Sequence, residues 1–225
     1  MNKTLAKEHA HTLSKPSKMP GHAYSVSAKE CGIGGKLAKQ KGTVCYECYA
    51  LKGNYRFKNV QDAQAIRLDK MLNDPLWEDA MVYQILATKE RWFRWFDSGD
   101  LQTVENLARI VRICERTPNV MHWLPTKEYG IVNAYLNRGG EIPSNLTVRL
   151  SAYKMDAPPP QFRSKTWQAM TSLTTSTVST RHGSEPIWGK SFVGSVCPSS
   201  QQNNECRDCR NCWSKEVKNV TYLAH

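Results

Sequence analysis

Seven of the eight cysteines in this 225-residue chain stand in two groups at its opposite ends. The first group is Cys31 with Cys45-Tyr46-Glu47-Cys48. The second is Cys197 with Cys206-Arg207-Asp208-Cys209-Arg210-Asn211-Cys212. Two residues between cysteines is the spacing at which one short turn aims two thiolates at a common centre. The tail applies it twice running, a three-thiolate grip suited to an iron–sulfur cluster. Zinc sites use the same spacing, usually as two separated pairs that close a tetrahedron. Here a pair with an outlier faces a triplet with an outlier, which fits [4Fe–4S] clusters, one or two, better than a single zinc. Two arrangements are open. One is a four-thiolate cluster on Cys197, Cys206, Cys209 and Cys212 beside an open-site cluster on Cys31, Cys45 and Cys48. The other is a single cluster drawing on both groups. Zinc remains the alternative metal. The eighth cysteine, Cys114, follows Val104, Leu107, Ile110 and Val111 on an apolar helical stripe and reads as a small buried hydrophobe.

Structural disulfides are the rival use of so many thiols, and the start of the chain argues against them. Residues 1–20 (MNKTLAKEHAHTLSKPSKMP) lack the apolar run of a signal peptide. No stretch approaches the roughly twenty apolar residues of a membrane span. The expectation is a soluble protein of a reducing cytoplasm with no membrane partner, where closely spaced cysteines serve metals or catalysis. The chain is basic, with 31 Lys and Arg against 20 Asp and Glu and a net charge of +11. That balance fits phosphate-bearing ligands or nucleic acid, compensation of an anionic thiolate cluster, or simply a solvated face. A nucleic-acid reading would be zinc-stapled loops with Lys36, Lys39, Lys41, Arg207, Arg210 and Lys215 facing phosphate.

The elements that must position these groups alternate in type. Residues 1–22 read as a polar arm, with His9 and His11 in it. Residues 23–28 (AYSVSA) read as a first strand running into Cys31, followed by a glycine-rich loop back to Cys45 and Cys48. Two helical patterns follow, over residues 59–72 and, after the Asp74-Pro75 cap, through Trp77, Met81 and Ile85. Trp92 to Phe96 is an aromatic strand ending in Asp97-Ser98-Gly99-Asp100, and Asp100 is placed to cap the next helix. Residues 120–124 (VMHWL) form a strand ending at Thr126-Lys127-Glu128, and a helix after it stops at Gly139-Gly140. Residues 146–150, Val178 with its neighbours, and residues 192–196 are further strands, the last entering Cys197. Residues 156–177 break the rhythm as a long loop or lid.

Repeated strand, loop and helix with short connections predicts an α/β fold around a parallel sheet. A closed or partly closed, TIM-like β/α barrel over residues 23–196 is favoured, with residues 197–225 as a cysteine-rich cluster-binding tail. An open doubly wound sheet is second. In such folds the loops after the strands build the active site. One end then collects Cys31, Asp97, Ser98, Asp100, Thr126, Lys127, Glu128, Ser151 and Cys197, and both cysteine groups meet there. Asp97, Ser98, Asp100 and Lys127 are the candidate catalytic residues.

A strand followed by three cysteines, with a small-residue acidic turn after the next strand, resembles the radical S-adenosylmethionine barrel. The resemblance implies that Cys31, Cys45 and Cys48 hold a [4Fe–4S] cluster with one iron open to S-adenosylmethionine. Ser98, Gly99 and Asp100 would then contact that cofactor's amino group. Cys31 and Cys45 are further apart than in most of that superfamily. A closer resemblance is to the phage proteins called gene product 88, carried by Cys45-Tyr46-Glu47-Cys48-Tyr49-Ala50, Phe96-Asp97-Ser98-Gly99-Asp100, Thr126-Lys127 and Cys206 to Trp213. It implies a phage or prophage origin, hence a bacterial host cytoplasm, and an iron–sulfur protein, and implies no particular reaction. The resulting expectation is a redox-active iron–sulfur protein with an electron donor or small-molecule substrate as partner. Radical-type enzyme chemistry is its narrower form, and a zinc-stapled nucleic-acid binder is the alternative.

Overall fold

Alternation along the middle strands decides how the chain is layered. A computed structural model describes residues 1–180 and 194–224. In β2 (Trp92–Trp95), Phe93 and Trp95 join the main apolar core, whereas Trp92 packs in a second cluster on the other side. β3 (Met121–Thr126) and β4 (Leu146–Ser151) repeat the pattern. Leu124, Leu146, Val148 and Leu150 enter the main core, while Trp123, Thr147 and Arg149 point the opposite way, to the tail. A period of two with both faces buried gives the near-continuous burial of a covered parallel sheet.

The sheet has seven strands in the order β1-β2-β3-β4-β5-β7-β6, all pairings parallel. Its remaining members are β1 (His22–Tyr24), β5 (Thr174–Ser179), β6 (Gly194–Val196) and β7 (Asn219–Leu223). The first five strands are laid down in one direction. Crossovers of one hand therefore put the intervening helices on one face. These are α3 (Lys58–Asn73), α4 (Trp77–Ala87), α5 (Val104–Glu115) and α6 (Tyr129–Asn137), and each contributes side chains to the main core. This is barrel-type winding. The edges β1 and β6 are not paired with each other among the described residues, so closure into a barrel is not seen.

Four expectations change. The polar arm contains α1 (Lys3–Ala10), capped by Asn2, whose side chain accepts from Leu5 N at 3.0 Å. Ala6 and Ala10 of this helix are fully buried in the main core, so two small residues one turn apart make it a core element. The tail is not an appendage, because β7 inserts between β5 and β6. The long loop is shorter than expected, since β5 begins at Thr174 and a 3-10 helix spans Lys165–Ser172. The cap of α5 is Thr103, which accepts from Asn106 N at 3.0 Å, and Asp100 lies free of that duty. The first two residues of the strand expected from Phe192 lie outside the described residues.

Two features read from sequence hold. Cys114 is fully buried in the main core. His122 is packed between Phe93 and Trp95, and burial pushes its pKa down to about 3.

Candidate metal centres

Cys31 follows β1 and Cys197 follows β6, so both lie toward the same end of the parallel sheet, whereas Cys212 packs with Trp123 and Trp213 on the sheet face turned to the tail. All eight cysteines are free thiols. Cys31 lies between a 3-10 turn (Ala28–Glu30) and α2 (Gly32–Leu37), and its side chain makes no capping hydrogen bond. Glu128 holds the start of α2 in place by accepting from Ile33 N at 2.6 Å. The return of the loop is pinned too. Thr43 Oγ1 donates to Leu37 O at 2.7 Å, and Val44 N donates to Tyr153 O at 2.9 Å. A tight turn then follows, with Cys48 N donating to Cys45 O at 3.2 Å.

Gly34 shows how closely the two arms of this loop approach. A Cβ on it would lie 3.0 Å from Cys31 Cβ, 3.6 Å from Cys31 Sγ and 3.7 Å from Cys45 Sγ. The two sulfurs thus flank a space that a side chain would fill, with bare backbone behind it. Burial pushes the thiols of Cys31 and Cys45 up. For Cys31, the charges of Asp100, Cys48 and Cys45 add to that push, while Lys127 opposes it at both thiols. Three thiols, one carboxylate and one ammonium therefore act on each other across a small space.

The turn after β2 supplies the carboxylate. Phe96 and Gly99 both have positive φ, 56° and 84°. A Cβ at Gly99 would stand 2.3 Å from Val26 Cγ2, so only glycine fits there. Ser98 Oγ donates to Val26 O at 2.9 Å, and Val26 N donates to Ser98 O at 3.0 Å, which ties the turn to the chain leaving β1. Asp100 Oδ1 accepts from Leu101 N at 2.8 Å and from Thr126 Oγ1 at 2.6 Å. Its Oδ2 accepts from Lys127 N at 2.9 Å. Burial raises Asp100 to about 6 against the pull of these donors and of Lys127. Asp97 is engaged elsewhere, accepting from Ser14 Oγ at 3.3 Å and Tyr55 Oη at 3.2 Å.

Asp100→Asn should therefore destabilise by about 1–3 kcal/mol, because an amide cannot accept on both sides and leaves an N–H facing a donor. Urea unfolding measures it, and a variant as stable as the wild type would remove the three-donor account of Asp100.

The second group is built by the tail. Cys197 N donates to Thr221 O at 2.8 Å, and Cys206 N donates to Lys18 O at 2.9 Å. The tail thus runs from the β6 edge across to the segment before β1. Cys209 N donates to Cys206 O at 2.9 Å. Cys212 lies 3.1 Å from Tyr222 Oη through its sulfur, and burial pushes its thiol up to about 12. Cys197 and Cys206 add to that rise by charge, and Arg149 opposes it. Charge from Cys197 and Cys209 raises Cys206 in the same way, after burial, and Arg210 and Arg94 oppose it. Arg210 and Arg94 thus act on Cys206, and Arg149 on Cys212.

The charge of Asp97 acts on Arg94. None of Arg94, Arg149 and Arg210 is in an ion pair among the described residues. The Nε atoms of Arg94 and Arg210 are buried without a hydrogen-bond partner. Arg94 lies over the Trp123 ring at 4.5 Å and reaches Tyr49 Oη at 3.5 Å. Tyr49 follows Cys48 directly and donates through its hydroxyl to Asp97 O. Asp97 acts on Arg94 by charge and Arg149 is satisfied by backbone carbonyls, so the charge of the neighbouring thiols is one contribution among several around these guanidiniums.

Charges of Cys45, Cys48, Asp100 and Lys127 thus act on Cys31, and those of Cys197 and Cys209 on Cys206. The structure turns Asp97 and Ser98 to structural bonds. Arg94, Arg149, Gly34 and the anchoring role of Glu128 were not singled out from sequence. An arginine inside an otherwise apolar strand (LTVRL) is the signal that could have found Arg149. Among the described residues, no group of three or more His, Cys, Asp and Glu side chains is drawn together tightly enough to hold a metal ion as it stands. His9 pairs with Asp74 at 3.0 Å. Of the cations assigned to phosphate, Lys215 donates to Pro143 O at 2.7 Å and Arg210 to Cys209 O at 2.8 Å. No helix among the described residues is long and apolar enough to cross a membrane. A family model described as gene product 88 matches residues 1–215. No curated protein and no solved structure matches the chain.

Proposed function

We propose, from the premise that this chain belongs to the gene product 88 family, that it is an iron–sulfur protein with two cluster sites at one end of an open β/α sheet. The observation that carries this reading is the second cysteine group, where Cys206 feels the charges of Cys197, Cys209, Arg210 and Arg94, and Cys212 those of Arg149, Cys197 and Cys206. Four thiolates on a cubane leave net negative charge, and buried guanidiniums offset it. The donor set fits such a group. The first centre fits through its three thiols and the space that Gly34 leaves between two of them.

Cys197, Cys206, Cys209 and Cys212 would hold a fully ligated cluster, and Cys31, Cys45 and Cys48 one with an open coordination position. Such clusters supply one-electron transfer and, where a position is open, a place for a ligand such as S-adenosylmethionine. The chain's own residues set the surroundings. Glu128 and Thr43 hold the two arms of the first loop, Asp100 fixes the Lys127 backbone, and the Lys127 ammonium offsets thiolate charge. Arg94, whose charge acts on Cys206, contacts Tyr49 beside Cys48.

Iron and sulfide analysis of anaerobically prepared protein tests the reading. About eight irons per chain is expected, since each cubane holds four. About four would leave one centre only, and colourless protein with stoichiometric zinc would overturn the proposal. Adding S-adenosylmethionine to the reduced protein should alter the electron paramagnetic spectrum of the three-cysteine centre, and an unchanged spectrum would restrict the activity to electron transfer.

A further inference from the structure

A cavity of about 310 Å³ opens between the turn before Cys31, the segment after Cys48 and the first turns of α3. No cysteine and no carboxylate residue lines it. Gln64, on its wall, is only 3 % exposed, and its Nε2 is buried with no hydrogen-bond partner. Buried amide donors are nearly always satisfied, so an orphan at a cavity wall marks the place of an acceptor.

The charges around it have one sign. Lys29 and Arg56 also line the cavity, and neither is in an ion pair among the described residues. Lys29 Nζ donates to Gln61 Oε1 at 3.2 Å, and Gln61 Nε2 donates to Arg56 O at 3.2 Å, which holds this polar wall together. Tyr55, also on the wall, donates its hydroxyl hydrogen bond away to Asp97 Oδ2 at 3.2 Å. Ala50 and Leu51 provide an apolar side.

We propose that this cavity binds a small organic anion, its carboxylate or phosphate held by Gln64 Nε2, Lys29 and Arg56 and its carbon skeleton lying on Ala50 and Leu51. The volume falls at the small end of metabolite sites. None of the seven clustered cysteines takes part, so the inference stands apart from metal binding. Failure to bind iron would leave it untouched.

The test uses the full chain labelled with 15N-glutamine and titrated separately with inorganic phosphate and acetate, ionic strength being held constant with sodium chloride. The Gln64 side-chain amide resonance should shift saturably, and the tighter of the two anions identifies the ligand's acidic group. Arg56→Gln, a change at an exposed position, should weaken that binding about tenfold, as expected for loss of a charge-assisted contact. Lys29→Gln should act in the same direction. No saturable shift with either anion, or unchanged affinity in both variants, would overturn the proposal.

Discussion

Replacing Arg149 with alanine should undock the cysteine-rich tail and cost at least about 4 kcal/mol of stability. Arg149 is fully buried in the middle of β4, yet all three of its nitrogens are used. Nε donates to Cys212 O at 3.0 Å, Nη1 to Thr175 O at 3.1 Å and Val217 O at 3.0 Å, and Nη2 to Asn211 O at 2.6 Å and Ser214 O at 2.8 Å. Four of the five carbonyls belong to the tail. Their removal from water is offset only by this one guanidinium, so truncation leaves several buried acceptors unsatisfied at once. Trp213 would lose its seat as well. It now donates from Nε1 to Phe93 O at 2.9 Å and meets Trp123 edge-on at 5.3 Å. Lysine should rescue little, because a compact ammonium with three donors cannot reach carbonyls spread around a planar fork. Urea midpoints and the rate of proteolytic cleavage within residues 197–218 read the effect. A midpoint and cleavage rate like those of the wild type in Arg149→Ala would mean that the tail is held by something else.

The second large effect separates a proposed ligand from a buried bystander. Cys209→Ala should remove about half of the bound iron and reshape the visible absorption, since one of two cubanes would lose a thiolate. Cys114→Ala should leave both unchanged and cost only packing, about a kcal/mol or two. Cys209 stands in a turn on Cys206, beside Arg210, whose Nη1 donates to Cys209 O at 2.8 Å. Cys114 is enclosed in the main core with aliphatic neighbours from α5. Equal bleaching by both substitutions would make Cys114 a ligand. Full iron in Cys209→Ala would remove Cys209 from the ligand set.

Much of the frame was legible because short-range periodicity carries it. The aromatic alternation of Trp92 to Trp95 placed β2, the stripe ending in Cys114 placed α5, and the Gly139-Gly140 stop appears as Gly139 N donating to Leu136 O at 3.0 Å and Gly140 N to Tyr135 O at 3.0 Å. Parallel strands then put Cys31, Asp100, Lys127 and Cys197 at one end, as the order of elements required. What failed to show were elements whose identity depends on partners far along the chain. α1 looked polar because only Ala6 and Ala10 face the core, and two alanines leave almost no hydrophobic pattern. β7 is a short β-branched run that reads as tail until β5 and β6 flank it.

The sequence by itself determined the two thiol groups with turn spacing and the βα rhythm that carries them. Both are local properties of residue type and interval. Tertiary structure alone decided which charges act on these thiols, Asp100 and Lys127 on Cys31, Arg210 and Arg94 on Cys206, and Arg149 on Cys212. It also decided that the tail leaving β6 reaches the segment before β1, where Cys206 N donates to Lys18 O. The reason is physical. Which charges a buried group must face depends on the side chains that folding brings beside it, and Arg149 meets Cys212 across 63 residues of chain.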